Sequence, residues 1–205
     1  MFRQYSKWTD QIPECLRVDL KSVKRALEYV NAKRVLDVGC GNGVLVRILC
    51  KLGYDAYGID ASEEGIRIAN SKINDNRFFV CDVDCRELPA EICMAEFDTI
   101  VSTQTIEHLY SPNEFIRFCA SVLPDNGRLI ITTPYHGWLK NVLIALFGFY
   151  DDHVMALKDG GHIKFFSKRQ LRCLLEINGF NVIAFEGMGR VPFVWKSMMM
   201  VAEKK

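Results

Sequence analysis

Apolar and polar positions along the chain fall into two kinds of short run, and the two kinds alternate. Blocks rich in Val, Ile, Leu and Phe at 34–38, 56–59, 78–81, 97–102 and 127–132 read as buried strands. Between them, apolar residues recur at helical spacing over 44–51, 63–73 and 113–123. This alternation predicts an α/β fold with a doubly wound sheet. A further helix is expected over 168–177, with Ser167 as its N-cap and Asn178-Gly179 as its stop signal. Runs at 180–186 and 197–202 predict two closing strands, which brings the strand candidates to seven. A helical pattern over 16–30 precedes the first strand. No repeat, linker or low-complexity run interrupts the series. One domain over 1–205 is expected, with 1–32 as an N-terminal helical cap.

The stretch 134–166 breaks the alternation. It follows the fifth strand, at the end of the sheet where ligands bind in such folds, and loops of that length are usually functional. A partly helical insertion forming a substrate lid is expected there. Its apolar run, 141–150, is shorter than the ~20 residues a membrane span needs. It is open to three readings: a core helix, a lid over substrate, or a peripheral membrane contact through 138–150.

The run Val35-Leu36-Asp37-Val38-Gly39-Cys40-Gly41-Asn42-Gly43 ends the first strand in a three-glycine turn, from which a helix leaves. Glycines at alternate positions allow a turn closed to other residues and leave no side chain to hold a ligand away. The helix that follows points unpaired amide groups back at that turn. The dinucleotide spacing is G-x-G-x-x-G, whereas this chain has G-x-G-x-G with Asp37 two residues ahead. A carboxylate there would repel a pyrophosphate but suits an ammonium or sulfonium charge. Asp60 ends the second strand about twenty residues on, where a carboxylate can accept two hydrogen bonds from a ribose diol, whether of an adenosyl ligand or of NAD.

With these residues the chain resembles the class I S-adenosylmethionine-dependent methyltransferases, whose first motif is (D/E)-x-G-x-G-x-G. The resemblance implies a mostly parallel, seven-stranded Rossmann-like sheet whose antiparallel last strand slots between the fifth and sixth. It implies S-adenosyl-L-methionine as cofactor, held by Asp37, Gly39, Cys40, Gly41, Gly43, Asp60 and Ala61. Asp82, with Cys81 and Val83 beside it, matches the acid that meets the adenine amino group. After the fourth strand, Gln104-Thr105-Ile106-Glu107-His108-Leu109 resembles a segment of the ubiquinone-biosynthesis O-methyltransferases and their relatives. There Thr103 and Gln104 would line the methionine half of the cofactor. Tyr5 and Trp8 resemble an aromatic pair with which some relatives cover it; both rings could equally pack a terminal helix onto the body.

A hydroxyl acceptor benefits from losing its proton to a positioned base, and histidine is the natural candidate. Three of the four histidines are catalytic candidates: His162 as base or acceptor-orienting group, His108 as base or loop pin, and His136 as a lid residue. His153, beside Asp151 and Asp152, reads as solvated. The acceptor is expected to be a small molecule, methylated at oxygen. The aromatic content of the insertion (Tyr135, Trp138, Phe147, Phe149, Tyr150, Phe165, Phe166) suggests that it has a hydrophobic part, as in a quinol, a lipid-linked intermediate or a glycan precursor. The competing readings are a non-catalytic adenosylmethionine-binding sensor or scaffold and, with no convincing catalytic Tyr-Lys pair, an NAD-dependent oxidoreductase.

The bulk properties narrow this further. A net charge of +1 without a basic run argues against nucleic acid as a partner. The eight cysteines are scattered without a C-x-x-C pair, Cys81 and Cys85 being the nearest approach to a metal-ligand spacing, so no metal is expected. With no signal peptide at the start, a cytoplasmic location is expected.

Overall fold

The computed structural model describes residues 14–73, 75–83, 87–150, 153 and 160–205. The strands are β1 (Arg34–Val38), β2 (Asp55–Asp60), β3 (Phe78–Val80), β4 (Thr99–Thr103), β5 (Arg128–Pro134), β6 (Phe180–Met188) and β7 (Ser197–Lys204). They form one sheet in the order β3-β2-β1-β4-β5-β7-β6. β1 to β5 pair in parallel, and β7 lies antiparallel between β5 and β6, as the resemblance implied. The helices are α1 (Glu14–Tyr29), α2 (Val44–Lys51), α3 (Glu63–Asn70), α4 (Pro112–Val122), α5 (Trp138–Leu146) and α6 (Lys168–Ile177).

Because successive strand residues face opposite ways, the apolar runs feed two cores. On one face Val35, Val101, Ile130, Met199 and Val201 pack with Val23 and Leu27 of α1, Leu45 and Leu49 of α2 and Ile66 of α3. On the other, Leu36, Ile100, Leu129, Ile131 and Met200 pack with Phe115 and Phe118 of α4 and Leu171 and Leu175 of α6. α1 seats on the β5–β7 side of the first face.

Local chemistry sets the element ends. Ser62 caps α3 by accepting from the Gly65 N–H at 3.1 Å. Ser167 opens α6 in a capping box with Gln170. α3 stops at Asn70, short of the expected 73, where the Asn70 amide turns to the Phe78 carbonyl at 3.2 Å. β4 starts at Thr99 rather than 97; just before it the Asp98 carboxylate accepts the Lys33 and Arg34 N–H groups, while the Asp98 backbone bonds to Arg34 and Arg128.

The order places β1 between β2 and β4, so the connections leaving β1 and β4 diverge at the C-terminal edge and open a crevice there. The insertion begins at that same edge, after β5.

Candidate functional site

The turn after β1 has the left-handed backbone its glycines imply, with φ of 84° at Gly39, 54° at Gly41 and 71° at Gly43. A Cβ at Gly39 would fall on the Thr105 side chain, and one at Gly43 on the Phe78 ring. The N–H groups of Gly39 and Cys40 both donate to the Ile59 carbonyl, at 2.9 and 3.0 Å. The Asp60 carboxylate closes the arrangement, accepting from the Gly41 N–H at 2.8 Å through Oδ2 and from the Ser62 N–H at 2.7 Å through Oδ1. Each of its oxygens keeps a lone pair for a second donor. Ser62 caps the following helix, leaving Asp60 to shape the crevice. Ala61 beside it is exposed.

Asp37 is almost wholly buried, and its Oδ1 has no hydrogen-bond partner among the described residues. Burial, and secondarily the charge of Asp60, pushes its carboxyl up to about 8. Burial likewise raises the neighbouring Cys40 thiol well above the usual range, with Asp37 and Asp60 adding to it. With no cation beside it among the described residues, the Asp37 carboxyl keeps its proton at neutral pH, and an ammonium or sulfonium placed against it would let it ionise at lower cost. As hydrogen-bond acceptors the two carboxyls therefore suit a ligand with an ammonium or sulfonium group and a ribose better than a diphosphate.

The third wall begins with Cys81, whose N–H donates to the Asp60 carbonyl at 3.0 Å. Its buried thiol points to the Glu87 carbonyl at 3.5 Å, leaving half-buried Asp82 and Val83 at the strand end.

Beyond β4 the chain turns sharply at Gln104, a non-glycine residue at φ 53°. Thr103 closes the strand half-buried, its carbonyl accepting from Thr105 Oγ1 at 3.2 Å. The Gln104 amide donates to Asp19 Oδ2 of α1 at 2.7 Å and to Ser197 Oγ of β7 at 2.9 Å. These two bonds commit the Gln104 amide nitrogen, so it is not a donor to a cofactor in this conformation. Burial raises the Asp19 carboxyl against the hydrogen bonds it receives.

Three segments then converge. The Glu107 carbonyl accepts from the Ile163 and Lys164 N–H groups at 2.9 and 3.0 Å, and the His136 N–H donates to the Phe166 carbonyl at 3.0 Å. These bonds bring together His108 and His162, whose rings meet edge to face with centroids 5.0 Å apart. His108 Nδ1 also lies 3.2 Å from the Gly161 carbonyl. Since Thr105 packs under Gly39, the pair sits just beyond the glycine turn. His136 stands apart, edge to face with Phe165 at 4.9 Å between centroids and with Nδ1 3.3 Å from Asn141 Oδ1. Burial and then the charge of Lys140 push His136 down to about 4, so it is neutral at physiological pH and a weak base. His153 is half-buried with Nδ1 3.0 Å from the Phe149 carbonyl. Tyr5, Trp8, Cys85, Asp151 and Asp152 lie outside the described residues.

Two site residues escape sequence reasoning. Glu107 is fully buried, accepts from Thr133 Oγ1 at 3.0 Å, and is pushed up to about 8 by burial. One ligand atom from each of Glu107, His108 and His162 lies within 4.8 Å of the others, a group that could hold a metal ion. Lys140 is 4% exposed, donates to the Tyr135 carbonyl at 2.8 Å, and is pushed down to about 8 by burial, then by Arg190 and Lys196. It is the lone charge in the apolar stretch 138–150, a signal open to notice.

The family model of the methyltransferase domain matches residues 3–184. The chain is 32% identical over 170 residues to the mitochondrial ubiquinone biosynthesis O-methyltransferase of Rattus norvegicus, covering 80% of this chain and 49% of that one. It is 30% identical over 168 residues to the enzyme of that name from Roseobacter denitrificans, covering 79% and 65%. The chain thus spans about half to two-thirds of the length of these curated relatives. Among solved structures it is similar to a protein from Pyrococcus horikoshii, with TM-score 0.71, 21% identity and coverage of 99% and 97%. It is also similar to magnesium protoporphyrin IX methyltransferase from Synechocystis with bound SAH, with TM-score 0.66, 18% identity and coverage of 97% and 90%.

Proposed function

This chain belongs to the methyltransferase-domain family, in its S-adenosylmethionine-dependent class, and from that premise we propose that it methylates an oxygen of a small molecule with a hydrophobic part. The observation that carries the reading is the meeting of His108 and His162 just beyond the glycine turn. Oxygen is favoured because a hydroxyl gains nucleophilicity when a positioned base takes its proton.

S-adenosylmethionine, when bound, supplies a methyl already activated by its sulfonium. Asp37 would hold the ammonium of its methionine half, Asp60 the ribose and Asp82 the adenine edge. What the chain must add is alignment, which in near-attack geometry supplies ~7–11 kcal/mol, and removal of the hydroxyl proton. His162 is the proposed proton acceptor. His108, held through Nδ1 at the Gly161 carbonyl, fixes its position. His136 is a neutral hydrogen-bond partner at the rim rather than a base. The exposed rings of the insertion beside the cleft support a hydrophobic acceptor.

The test is methyl transfer from labelled cofactor to a panel of catechols and quinols, with and without His162→Ala. Transfer lost in the variant while S-adenosylhomocysteine still binds supports the reading. Undiminished turnover removes His162 from it, and cofactor binding without transfer to any acceptor favours a sensor.

A further inference from the structure

α1 carries an acid where its pattern calls for an apolar residue. Leu16, Asp19, Ser22, Val23, Ala26 and Leu27 recur at helical spacing and are all buried, and Asp19 is wholly inaccessible. Seating a helix on a sheet needs no carboxylate in such a stripe, and burying one is costly unless it is bonded. Two ion pairs of α1 with the β6–β7 hairpin, Glu14 to Lys196 and Arg25 to Glu186, lie at the surface instead.

What Asp19 bonds to is the turn after β4. There Gln104 holds its left-handed backbone while its N–H donates to the Thr132 carbonyl at 3.1 Å. A residue other than glycine keeps such a backbone only where its surroundings fix it. The Gln104 side-chain amide donates to both Asp19 and Ser197, and Ser197 Oγ in turn donates to the Thr133 carbonyl at 3.1 Å. α1, β5 and β7 thus grip one strained residue. The next residues belong to the site: Thr105 packs under Gly39, and the Thr105 carbonyl accepts from the His108 N–H at 3.0 Å. Relaxation at Gln104 would therefore shift the floor of the glycine turn and the histidine pair together.

We propose that Asp19 is a positioning residue for methyl transfer, acting through Gln104 to hold the turn after β4 so that Thr105 stays under Gly39 and His108 beside His162. This rests on the methyltransfer reading of the site, and adds that the N-terminal helix is part of the machinery rather than a cover over it. An apolar residue at position 19 would seat α1 equally well but would leave the Gln104 amide without its acceptor. Burial raises the Asp19 carboxyl, and because Oδ1 has no other partner among the described residues, Oδ2 accepts from Gln104 in either protonation state.

The experiment follows S-adenosylhomocysteine affinity by calorimetry, methyl transfer to the panel of catechols and quinols, and thermal melting, all in the full chain. Asp19→Leu completes the apolar stripe and removes the acceptor. Affinity is expected to fall by about tenfold or more, and transfer with it, while the melting temperature is unchanged or higher. A residue that only seats the helix would give the reverse, a lower melting temperature with affinity and transfer intact, and that result overturns the proposal. Asp19→Asn, whose side-chain oxygen still accepts from Gln104, is expected to stay within about threefold of wild type. A loss as large as that of Asp19→Leu would also overturn the proposal. Gln104→Met removes the same bond from the other side, so the test stands even if Asp19→Leu does not fold. Adding Asp19→Leu to it should lower affinity no further, and additive losses would contradict action through Gln104. Wild type that binds S-adenosylhomocysteine, with the variants unchanged, refutes the role of Asp19 alone. Wild type that does not bind it overturns the methyltransfer reading and this proposal together.

Discussion

The crevice under β1 to β3 and the rim beyond β4, β5 and β7 are built on different principles. The crevice is framed mainly within one strand-helix-strand stretch: three glycines, a carboxylate that gathers the Gly41 and Ser62 N–H groups, and a helix that begins at the last glycine, with Thr105 and Phe78 packed against the turn from outside it. The rim is made by residues far apart, joined through backbone bonds such as Ile163 to Glu107 and His136 to Phe166. Local construction gives the crevice a fixed shape for one cofactor. Remote construction leaves the rim free to vary in side chains while its backbone frame holds.

Substitutions on the two sides should therefore fail differently. The largest effect is expected at the rim: His162→Ala should lower turnover ~10²–10⁴-fold and leave S-adenosylhomocysteine affinity unchanged. If affinity fell in step with turnover, the two regions would not be separable. In the crevice, Asp60→Ala removes a carboxylate bonded to two backbone N–H groups, each charged hydrogen bond being worth ~1.5–3 kcal/mol. Cofactor affinity should drop by ~10–100-fold, measured by calorimetry, and unaltered binding would refute the ribose assignment.

The buried acids set a pH dependence. Glu107 and Asp37 both bind protons more tightly in the folded chain than their ordinary values, Glu107 up to about 8 and Asp37 up to about 8. The folded state holds the extra protons, so stability should fall as pH rises from the ordinary carboxylate range through about 8. Glu107→Gln keeps the shape, and should make thermal melts over that range less steep; an unchanged slope would assign the whole effect elsewhere. The smallest effect is expected at Lys140, whose folded value of about 8 lies below that of an unfolded lysine. Its burial cost is present at neutral pH and relieved as pH rises through about 8 toward the ordinary lysine range. Lys140→Met should change stability by only ~0–2 kcal/mol, with a gain as the favoured sign, and should remove that rise.

The same division decides how much was legible beforehand. β1, α2 and α6 fall where hydrophobic spacing and capping put them, and the place of β7 between β5 and β6 followed from the family resemblance. The acids of the crevice were legible because the chemistry of a glycine turn is confined to a few neighbours. The inward turn of Lys140 and the burial of Glu107 were not. A charged residue in an apolar helix or a loop motif reads as solvated until the packing partners, here Tyr135, Thr133 and the 160–166 turn, come together from elsewhere in the chain. Gln104 is the same case: its amide is committed to Asp19 and Ser197, residues 85 and 93 positions away.

The most direct test of the account is calorimetric titration of the wild type with S-adenosylhomocysteine and, in parallel, with NAD. A single saturable site for the adenosyl thioether, silent toward NAD and weakened by Asp60→Ala, is the expected result. Heat with NAD alone, or none with either ligand, would contradict the assignment of the crevice beside Gly39 and Gly41.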